Sequence, residues 1–292
     1  MEIKRINSAQ NAALKQTMKY RSRRGAETAG VFMAEGLRVV EEVLKAQEWS
    51  IESLWFEEGF LQELKTKTPA FFRLVHQGIS RSKAPLYIVP PSLMKRLSDT
   101  ETPQGVLTVV RRRQYQLTKV LEGLSHQPLI LVLENLQDPG NVGTLLRTAD
   151  SAGADAVLYT KGTADVYSPK VVRAAMGSLL HVPVCKIESV SSVKPLCQAQ
   201  GIRLWGAHLN GSAYYFDQDL SQPAAIMIGN EGSGLSEEAA EAADALIRIP
   251  MLGRAESLNA GVAGGILLYE AIRQRQASGL FKAEPGKGLH LG

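Results

Sequence analysis

The sequence has few cysteines and no long apolar run. Its 292 residues include only Cys185 and Cys197, which excludes a disulfide scaffold and a zinc site with four cysteine ligands. No hydrophobic stretch approaches the roughly 20 residues of a membrane-spanning helix, and the N-terminal residues lack the apolar core of a signal peptide. The chain is therefore expected to act in the reducing cytoplasm, without a membrane partner.

Several common motifs of small-molecule enzymes are also missing. No Gly-x-Gly-x-x-Gly follows a predicted strand, and no Gly-x-x-x-x-Gly-Lys-Ser/Thr occurs, so dinucleotide-binding and P-loop proteins lack their signatures here. Ser233 is not in the Gly-x-Ser-x-Gly context of a nucleophilic serine. The five histidines have no metal-ligand spacing, so no metal is expected and each histidine is interpreted as a packing or surface residue.

The residues that are present suffice for a sizeable core and carry an uneven charge. Hydrophobic residues make up 45% of the chain and charged residues 21%, which excludes an intrinsically disordered protein. Residues 1–115 carry 19 Lys and Arg against 12 Asp and Glu, which leaves 14 against 17 in the remainder. A basic first third attracts the phosphate backbone of a nucleic acid, although a charge run also fits an ordinary solvated helix face.

The candidate phosphate contacts lie near the N-terminus and at the end of one predicted strand. They are Lys4, Arg5, Lys15, Lys19, Arg21, Arg23, Arg24, Arg111, Arg112 and Arg113.

Residues 1–113 are predicted to form one α/β domain, followed by a linker over 114–127. Periodicity predicts helices over 8–20, with Ser8 as N-cap, over 36–46 and over 58–67. Residues 21–25 are predicted as an exposed basic turn. Short apolar runs predict strands over 31–34, 51–56, 72–75, 86–89 and 105–110.

From residue 128 onwards, strands and helices alternate regularly. Strands are predicted over 129–133, 156–159, 182–187, 202–207, 224–228 and 245–249. Helices are predicted over 142–152, 169–176, 189–200, 236–243 and 257–276, with Asn141, Ser236 and Ser257 as caps. The alternation predicts an α/β domain over 128–277 with a mostly parallel sheet and helices on both faces. A flexible tail is expected over 278–292.

Ligands of open α/β sheets bind outside the carboxyl ends of the strands, and the first unusual loop follows such an end. It runs from Glu134 to Gly143, with Asn141 near its end. Arg147 lies six residues later, so helical geometry places it within two turns of the loop. An ordinary β-turn-α connection explains the turn but not the crowding of Glu, Asn, Asp and Arg at one strand end.

Two further loops stand at predicted strand ends. Residues 229–236 contain three glycines in six positions, which permits close approach of the backbone to a ligand. Residues 249–261 contain Ser257 and Asn259, followed by small residues that suit close helix packing. A flexible glycine loop and a capped packing helix explain these two loops equally well when each is taken alone.

Taken together and in this order, the three loops resemble motifs 1, 2 and 3 of the SpoU/TrmH family of RNA ribose 2′-O-methyltransferases, which belong to the SPOUT class. The matching residues are Asn141-Val142-Gly143…Arg147, Ile228-Gly229-Asn230-Glu231-Gly232-x-Gly234 and Ile249-Pro250-Met251…Ser257-Leu258-Asn259. The family usually continues motif 3 as Ser-Leu-Asn-Val-Ser. Here Gly261 stands at the last position and brings no hydroxyl group.

The N-terminal domain is similar to the family's substrate-binding domain, which has a ribosomal-protein-like α/β fold. The residues that carry this similarity are Ser8…Asn11, Phe32-x-x-Glu35-Gly36-x-Arg38 and Pro103-Gln104-Gly105-Val106. The resemblance implies that this domain captures RNA, with Arg38 joining Lys15, Lys19, Arg21, Arg23 and Arg24 as RNA-binding residues.

The resemblance also implies the fold and the cofactor of the C-terminal domain. A trefoil-knotted SPOUT methyltransferase domain with a mostly parallel sheet is expected, with S-adenosylmethionine held in the knot and each site near the interface of a homodimer. The implied cofactor contacts are Leu209, Gly229, Ile249, Met251 and Leu258.

The implied catalytic residues are Arg147, Asn141, Glu231, Ser257 and Asn259. Arginine rarely gives up its proton in a protein, so Arg147 is expected to hold the adjacent phosphate and stabilise the developing alkoxide. The two asparagines would orient the ribose or Arg147. Glu231 would hold Arg147 or accept the proton, and Ser257 would help with positioning.

The sequence thus predicts a methyltransferase that modifies a ribose 2′-oxygen of RNA, with rRNA favoured over tRNA because a separate N-terminal capture domain resembles the rRNA branch. The alternatives are a tRNA methyltransferase or a non-catalytic RNA-binding protein on the same scaffold. A doubly wound enzyme acting on nucleotides or small molecules is a third alternative, which leaves the basic N-terminal domain unexplained.

Overall fold

The computed structural model describes residues 3–280, which divide into two compact units. The first unit comprises residues 3–114 and 165–181, and the second comprises 115–164 and 182–280. A segment from the middle of the predicted C-terminal domain therefore belongs to the first unit. Most of the predicted flexible tail, residues 281–292, lies outside the described residues.

The N-terminal portion of the first unit contains five strands and six helices. The strands are β1 (Ile3–Arg5), β2 (Val31–Glu35), β3 (Ile51–Glu57), β4 (Leu86–Val89) and β5 (Val106–Arg111). The helices are α1 (Ala12–Lys19), α2 (Arg23–Ala29), α3 (Leu37–Lys45), α4 (Phe60–Lys67), α5 (Pro69–Ser82) and α6 (Pro91–Leu97). The strands form one mixed sheet in the order β1-β4-β3-β5-β2, with β5 antiparallel to both of its neighbours.

The remaining strands are β6 (Leu129–Leu133), β7 (Ala156–Tyr159), β8 (Val184–Lys186), β9 (Arg203–Ala207), β10 (Ala213–Tyr214), β11 (Ala224–Ile228) and β12 (Ala245–Arg248). The remaining helices are α7 (Leu117–Glu122), α8 (Pro139–Ser151), α9 (Pro169–Ala175), α10 (Val190–Ala199), α11 (Glu237–Ala242) and α12 (Ala260–Ala277). The seven strands form one parallel sheet in the order β10-β12-β9-β11-β6-β7-β8. The α/β fold with a mostly parallel sheet is thereby confirmed.

Residues 165–181 complete the first unit by covering β2. Helix α9 packs against this strand, and the Tyr167 ring lies 5.3 Å from the ring of Phe32. The indole Nε1 of the fully buried Trp49 donates a 3.0 Å hydrogen bond to the Leu180 carbonyl. Two aromatic side chains of the N-terminal portion therefore depend on this later segment for their burial or hydrogen bonding.

Three helix starts differ from the predicted ones because asparagine or aspartate acts as the cap. The observed caps are Asn11 in place of Ser8, Asp138 in place of Asn141, and Asn259 in place of Ser257. In each case the side-chain Oδ1 accepts hydrogen bonds from amides of the first turn, as an N-cap requires. The predicted cap Ser236 is confirmed, since its Oγ accepts from the Ala239 amide at 3.2 Å.

Two local predictions for the first unit are wrong. The strand predicted over 72–75 is part of α5, because its buried residues Phe71, Val75 and Ile79 recur every four positions along a helix. The basic turn predicted over 21–25 is the start of α2, which Ser22 caps.

The predicted linker contains α7, and Leu121 of this helix is buried in the core of the second unit. Strands β1 and β10 and helices α6 and α7 were not predicted.

Helices α8 and α12 approach closely through the small residues at the start of α12. A Cβ atom built on Gly264 would lie 2.3 Å from Leu145 Cδ2, and one on Gly261 would lie 3.2 Å from Thr144 Cγ2. The small residues therefore serve a contact within one chain, which brings the first turns of both helices together.

Candidate active site

A cavity of about 320 Å³ opens in the second unit at the carboxyl ends of β9, β11 and β12. This edge is where ligands bind in open α/β sheets. Its lining comes from all three strand ends, from the loop before α12 and from the first turn of α12: residues 207–210, 228–234, 247, 249, 251, 257, 258, 260 and 263.

All five of the predicted cofactor residues lie in this lining. Leu209 follows β9, Gly229 follows β11, and Ile249, Met251 and Leu258 lie between β12 and α12. Aliphatic side chains dominate this group, which gives the cavity the apolar character of a small-molecule site with a few polar groups.

Gly229 is required by the chain itself and not only by a ligand. A Cβ atom at this position would lie 2.3 Å from Gly234 C and from Leu235 N, a distance that non-bonded atoms do not reach. The expectation that the missing side chain simply makes room for a cofactor is therefore incomplete. Gly229 lets the glycine-rich loop fold back on its own first residue.

Asn230 holds the glycine-rich loop in one shape. Its Oδ1 accepts hydrogen bonds from the amides of Gly232 and Ser233 at 2.9 and 3.1 Å, and its Nδ2 donates to the Asn135 carbonyl at 3.0 Å. The loop is thus a built element tied to the loop after β6, and not a flexible glycine connection. Sequence reasoning gave Asn230 no role, although it stands in the matching motif.

A chain of hydrogen bonds joins the three loops that the sequence singled out. Asn259 Nδ2 donates to Asn141 Oδ1 at 2.8 Å, and Asn141 Nδ2 donates to Glu231 Oε1 at 3.1 Å. The Glu231 carboxylate also accepts from the amides of Gln137 and Asp138 at 3.1 and 2.8 Å. Asn141 is buried and stands in the middle of this chain, between the loops that carry the other residues.

These contacts decide the protonation state of Glu231. Burial raises the pKa of Glu231, but the hydrogen bonds from Asn141 and from the two amides outweigh burial and leave the pKa below its ordinary value. The group is a carboxylate at neutral pH and a weak base. The expectation that Glu231 accepts the proton is therefore poorly matched to this environment.

Arg147 is exposed on α8, and its side chain makes no hydrogen bond or ion pair with any residue between 3 and 280. The expected contact between Glu231 and Arg147 is absent from this described part of the chain, where Asn141 occupies the carboxylate instead. The guanidinium is thus available to an external anion. Ser257 is also exposed and lines the cavity.

His208 lines the cavity. The sequence predicted a packing or surface position for every histidine and gave no role in the site to this one. Its Nδ1 accepts a hydrogen bond from the Asn210 amide at 3.1 Å. Its position directly after β9, at the sheet edge that binds ligands, was the available signal.

Neither a metal site nor a membrane span is evident in the part of the chain that the structure describes. Within residues 3–280, no three His, Cys, Asp or Glu side chains are grouped as metal ligands. No helix in the same range is both long and apolar enough to cross a membrane.

The predicted RNA-binding residues all lie on the surface of the first unit. They are Lys15, Lys19, Arg21, Arg23, Arg24 and Arg38. Arg21 donates to the Arg96 carbonyl at 3.0 Å, and Arg23 pairs with Glu27 at 2.9 Å. Lys19 and Arg24 line an open groove between α1 and α2.

Most of the other candidate cations are already paired with carboxylates. Arg5, Arg111 and Arg113 form ion pairs with Glu58, Glu52 and Glu48. Arg112 is largely buried, bridges to Asp165 at 3.4 Å and stacks over the Tyr167 ring at 4.6 Å. Arg112 is therefore a contact within the first unit, whereas Arg111 and Arg113 are solvent-accessible beside their glutamates and stay predicted phosphate contacts.

Two family models match the chain. The SpoU rRNA Methylase family matches residues 128–269, and the MRM3-like substrate binding domain matches residues 11–108. The two matches cover the two regions that the sequence analysis had separated.

Relatives with named activities match along nearly the whole chain. The 23S rRNA (guanosine(2553)-2′-O)-methyltransferase RlmP of Bacillus subtilis is 33% identical over 271 residues, which is 91% of this chain and 98% of the relative. The 23S rRNA (uridine(2479)-2′-O)-methyltransferase of Streptomyces viridochromogenes is 31% identical over 278 residues, 93% of each chain. A solved structure, the AdoMet-bound rRNA methyltransferase from Sinorhizobium meliloti, superposes with a TM-score of 0.81 at 30% identity and covers 93% of this chain and 98% of its own.

Proposed function

Because this chain belongs to the SpoU rRNA methylase family, we propose that it transfers a methyl group from S-adenosylmethionine to a ribose 2′-oxygen of 23S rRNA in the cytoplasm. The observation that carries the proposal is the hydrogen-bond chain Asn259–Asn141–Glu231 beside the cavity at the sheet edge. It assembles residues of all three family motifs in one place.

The cavity fits the cofactor in size and in lining. A volume of about 320 Å³ lies in the range of small-molecule sites. Ile249, Met251 and Leu258 supply apolar contacts, and the backbone of the glycine-rich loop supplies polar ones. S-adenosylmethionine, when bound, supplies a methyl group activated by a sulfonium.

The residues of the chain then have to bring a ribose oxygen to that methyl group and stabilise the charge that develops. Arg147, an exposed cation on the same helix as Asn141, holds the phosphate beside the target ribose and stabilises the forming alkoxide. Asn141 and Asn259 fix the first turns of α8 and α12 and so set the position of Arg147. Ser257, at the rim of the cavity, contacts the ribose.

The first unit captures the RNA. Its exposed cations, above all Lys15, Lys19, Arg24 and Arg38, attract the phosphate backbone without regard to sequence. The match to a substrate binding domain over residues 11–108 supports this role.

Family membership supports two further parts of the proposal, a homodimer and a trefoil knot in the C-terminal part of the second unit. The exposed apolar side chains Val262 and Tyr269 on α12, 52% and 50% accessible, suit a helical contact between two copies.

The deciding experiment is a methyl-transfer assay with labelled S-adenosylmethionine. Unmodified 23S rRNA and, separately, tRNA are offered to the wild-type protein and to Arg147→Ala. We expect label on a ribose 2′-oxygen of 23S rRNA, lost in Arg147→Ala while cofactor binding by calorimetry persists. Arg203→Ala is a matched control, because Arg203 is an exposed arginine at the opposite, amino end of β9. Label on tRNA alone, or cofactor binding without transfer to either RNA, contradicts the proposal.

A further inference from the structure

An aromatic stack stands on the surface of the second unit, outside the cavity. The rings of Tyr214 and Phe216 lie 5.3 Å apart and almost parallel, with an interplanar angle of 10°. The guanidinium carbon of Arg248 lies 4.5 Å from the centroid of the Tyr214 ring. We call Arg248, Tyr214 and Phe216 the aromatic stack.

The stack lies at the same sheet edge as the cavity. Strand β10 pairs in parallel with β12, and Tyr214 is in register with Arg248. Phe216 follows the carboxyl end of β10, just as Ile249, which lines the cavity, follows the carboxyl end of β12. Since the carboxyl ends of neighbouring parallel strands meet at one edge, the stack and the cavity share this edge of the sheet, although none of the three stack residues lines the cavity.

The chain that follows the stack is anchored to α12, although the Phe216 ring is exposed. Gln274 on α12 donates from Nε2 to the Gln218 carbonyl at 2.9 Å and accepts from the Leu220 amide at 2.7 Å. These bonds fix the chain directly after Phe216.

Two groups of the stack lack further partners among the described residues: the exposed face of the Phe216 ring and the guanidinium of Arg248. The Phe216 side chain is 47% exposed, so burial in a core does not explain this ring. Within the described residues, Arg248 forms no ion pair, and its buried Nε has no hydrogen-bond partner. The stack therefore combines an open aromatic face with an uncompensated positive charge.

We propose that the aromatic stack binds an unpaired base of the RNA substrate, a neighbour of the nucleotide whose ribose enters the cavity. The proposal rests on the proposed function, which it deepens by assigning a second RNA contact to the methyltransferase unit. The base stacks on Phe216, and Arg248 faces the adjoining phosphate.

The reaction itself requires the RNA to be locally unstacked. Proteins recognise RNA mainly where bases are unstacked, and they receive those bases on aromatic side chains and arginine planes. A ribose that reaches into a cavity pulls its neighbours out of their stack, and a flat aromatic surface at the same sheet edge as the cavity offsets that loss. The positive charge of Arg248 matches the phosphate that connects the two nucleotides.

The test measures RNA binding by three substitutions at one position. Phe216→Ala removes the ring, Phe216→Leu keeps an apolar side chain without a ring, and Phe216→Tyr keeps the ring. We expect the Kd for a 23S rRNA fragment and the KM for RNA to rise about tenfold in the alanine and leucine variants, as for the loss of one stacked base. In Phe216→Tyr, the Kd for the RNA fragment and the KM for RNA should equal those of the wild type. The Kd for S-adenosylmethionine should be the same in all variants.

A second measurement locates the base directly. The RNA fragment is substituted with 5-iodouridine at single positions and irradiated in complex with the wild-type protein, and crosslinked peptides are sequenced. We expect a crosslink to Tyr214 or Phe216 from one nucleotide next to the methylated one.

The outcomes separate this proposal from the proposed function. If the wild-type protein methylates rRNA but Phe216→Leu binds RNA as the wild type does, a stacked base is excluded and this proposal is wrong. If Phe216→Ala instead lowers the molecular mass in sedimentation experiments, the stack is a contact between two copies of the chain, which also overturns it. A wild-type protein that methylates no RNA refutes the proposed function, whereas a crosslink from any single nucleotide to Tyr214 or Phe216 would still support base stacking, and no crosslink to either ring would contradict it.

Discussion

Asn141 Nδ2 donates a 3.1 Å hydrogen bond to Glu231 Oε1, although the two residues are 90 positions apart in the chain. The bond ties the first turn of α8 to the glycine-rich loop after β11. Asn259 adds the third motif by donating to Asn141 Oδ1 at 2.8 Å. The three loops are therefore one connected polar structure, and Asn141 is the only one of these three side chains that bonds both of the others.

Replacing Asn141 by alanine is expected to disconnect the loops. The change removes the partner of Asn259 Nδ2 and one of the three donors to the Glu231 carboxylate, which keeps the amides of Gln137 and Asp138. Each lost hydrogen bond costs about 0.5–1.5 kcal/mol. Methyl transfer should fall about 10- to 100-fold, because the residues of α8 lose their fixed position. Turnover with rRNA and thermal unfolding measure the two effects.

The matched control for this change is Gln137→Ala. Glu231 accepts from the backbone amide of Gln137 and not from its side chain, so the alanine variant keeps the donor. Turnover close to that of the wild type is expected in Gln137→Ala. An equal loss of turnover in Asn141→Ala and Gln137→Ala would show that the Asn141 side chain is not specifically required for methyl transfer.

The lowered pKa of Glu231 predicts how stability depends on pH. A carboxyl group whose pKa is lower in the folded state stabilises the fold above its unfolded pKa of about 4.3. That contribution is lost as the pH falls through the folded value. The free energy of unfolding of the wild type should therefore exceed that of Glu231→Gln at neutral pH, and the difference should narrow below about pH 4.3. Denaturant titrations at several pH values measure it, and a difference independent of pH would contradict the argument.

Gly229→Ala is expected to disturb the glycine-rich loop. The added Cβ would lie 2.3 Å from Gly234 C, so the loop has to shift, at a cost of about 1–3 kcal/mol. The affinity for S-adenosylmethionine should fall as well, since the same loop lines the cavity. Gly232→Ala is the matched control in the same loop, because its nearest contact, Asn230 Oδ1 at 3.6 Å, is ordinary. Calorimetric titration that finds the same affinity in both variants would refute this reasoning.

The exposed cations of the first unit are expected to contribute to RNA binding through phosphate contacts. Neutralising Lys15, Lys19 and Arg24 together should weaken binding and make the slope of log K against log salt shallower by about 2, at roughly 0.7 per phosphate on a single strand. Filter binding at several salt concentrations gives the slope.

A second triple variant serves as the control for charge alone. Arg5, Arg111 and Arg113 are already paired with glutamates, so their replacement by glutamine should change the slope much less. If the slope of log K against log salt is unchanged in the first triple variant, Lys15, Lys19 and Arg24 are solvated side chains that do not contact RNA.

The sequence was informative where local composition itself marks the site. Asparagine, glycine and serine at strand ends located all three loops, and Leu209 and Ile249 do line the cavity. The local pattern of apolar residues gave a wrong prediction where a strand and a buried helix segment have the same pattern. Residues 72–75 are apolar enough for a strand, and only the spacing from Phe71 to Val75 and Ile79 shows the helix.

Contacts across the chain were beyond prediction for a physical reason. The partner of Asn141 depends on how α8 and α12 approach, and that approach depends on Gly264 against Leu145. The placement of residues 165–181 in the first unit depends likewise on tertiary packing, which periodicity does not record.

Because residues 165–181 belong to the first unit, this unit cannot be separated from the rest of the protein by a single cut in the chain. A fragment that ends at residue 114 would lack α9 and would expose the surfaces of Phe32 and Trp49 that Tyr167 and Leu180 contact. Exposed aromatic surface of this kind promotes aggregation. The first unit therefore cannot be exchanged as an independent fragment that ends at residue 114. Grafting it onto another catalytic unit, in the laboratory or by gene fusion, requires that the new host also carry a matching segment between its second and third strands.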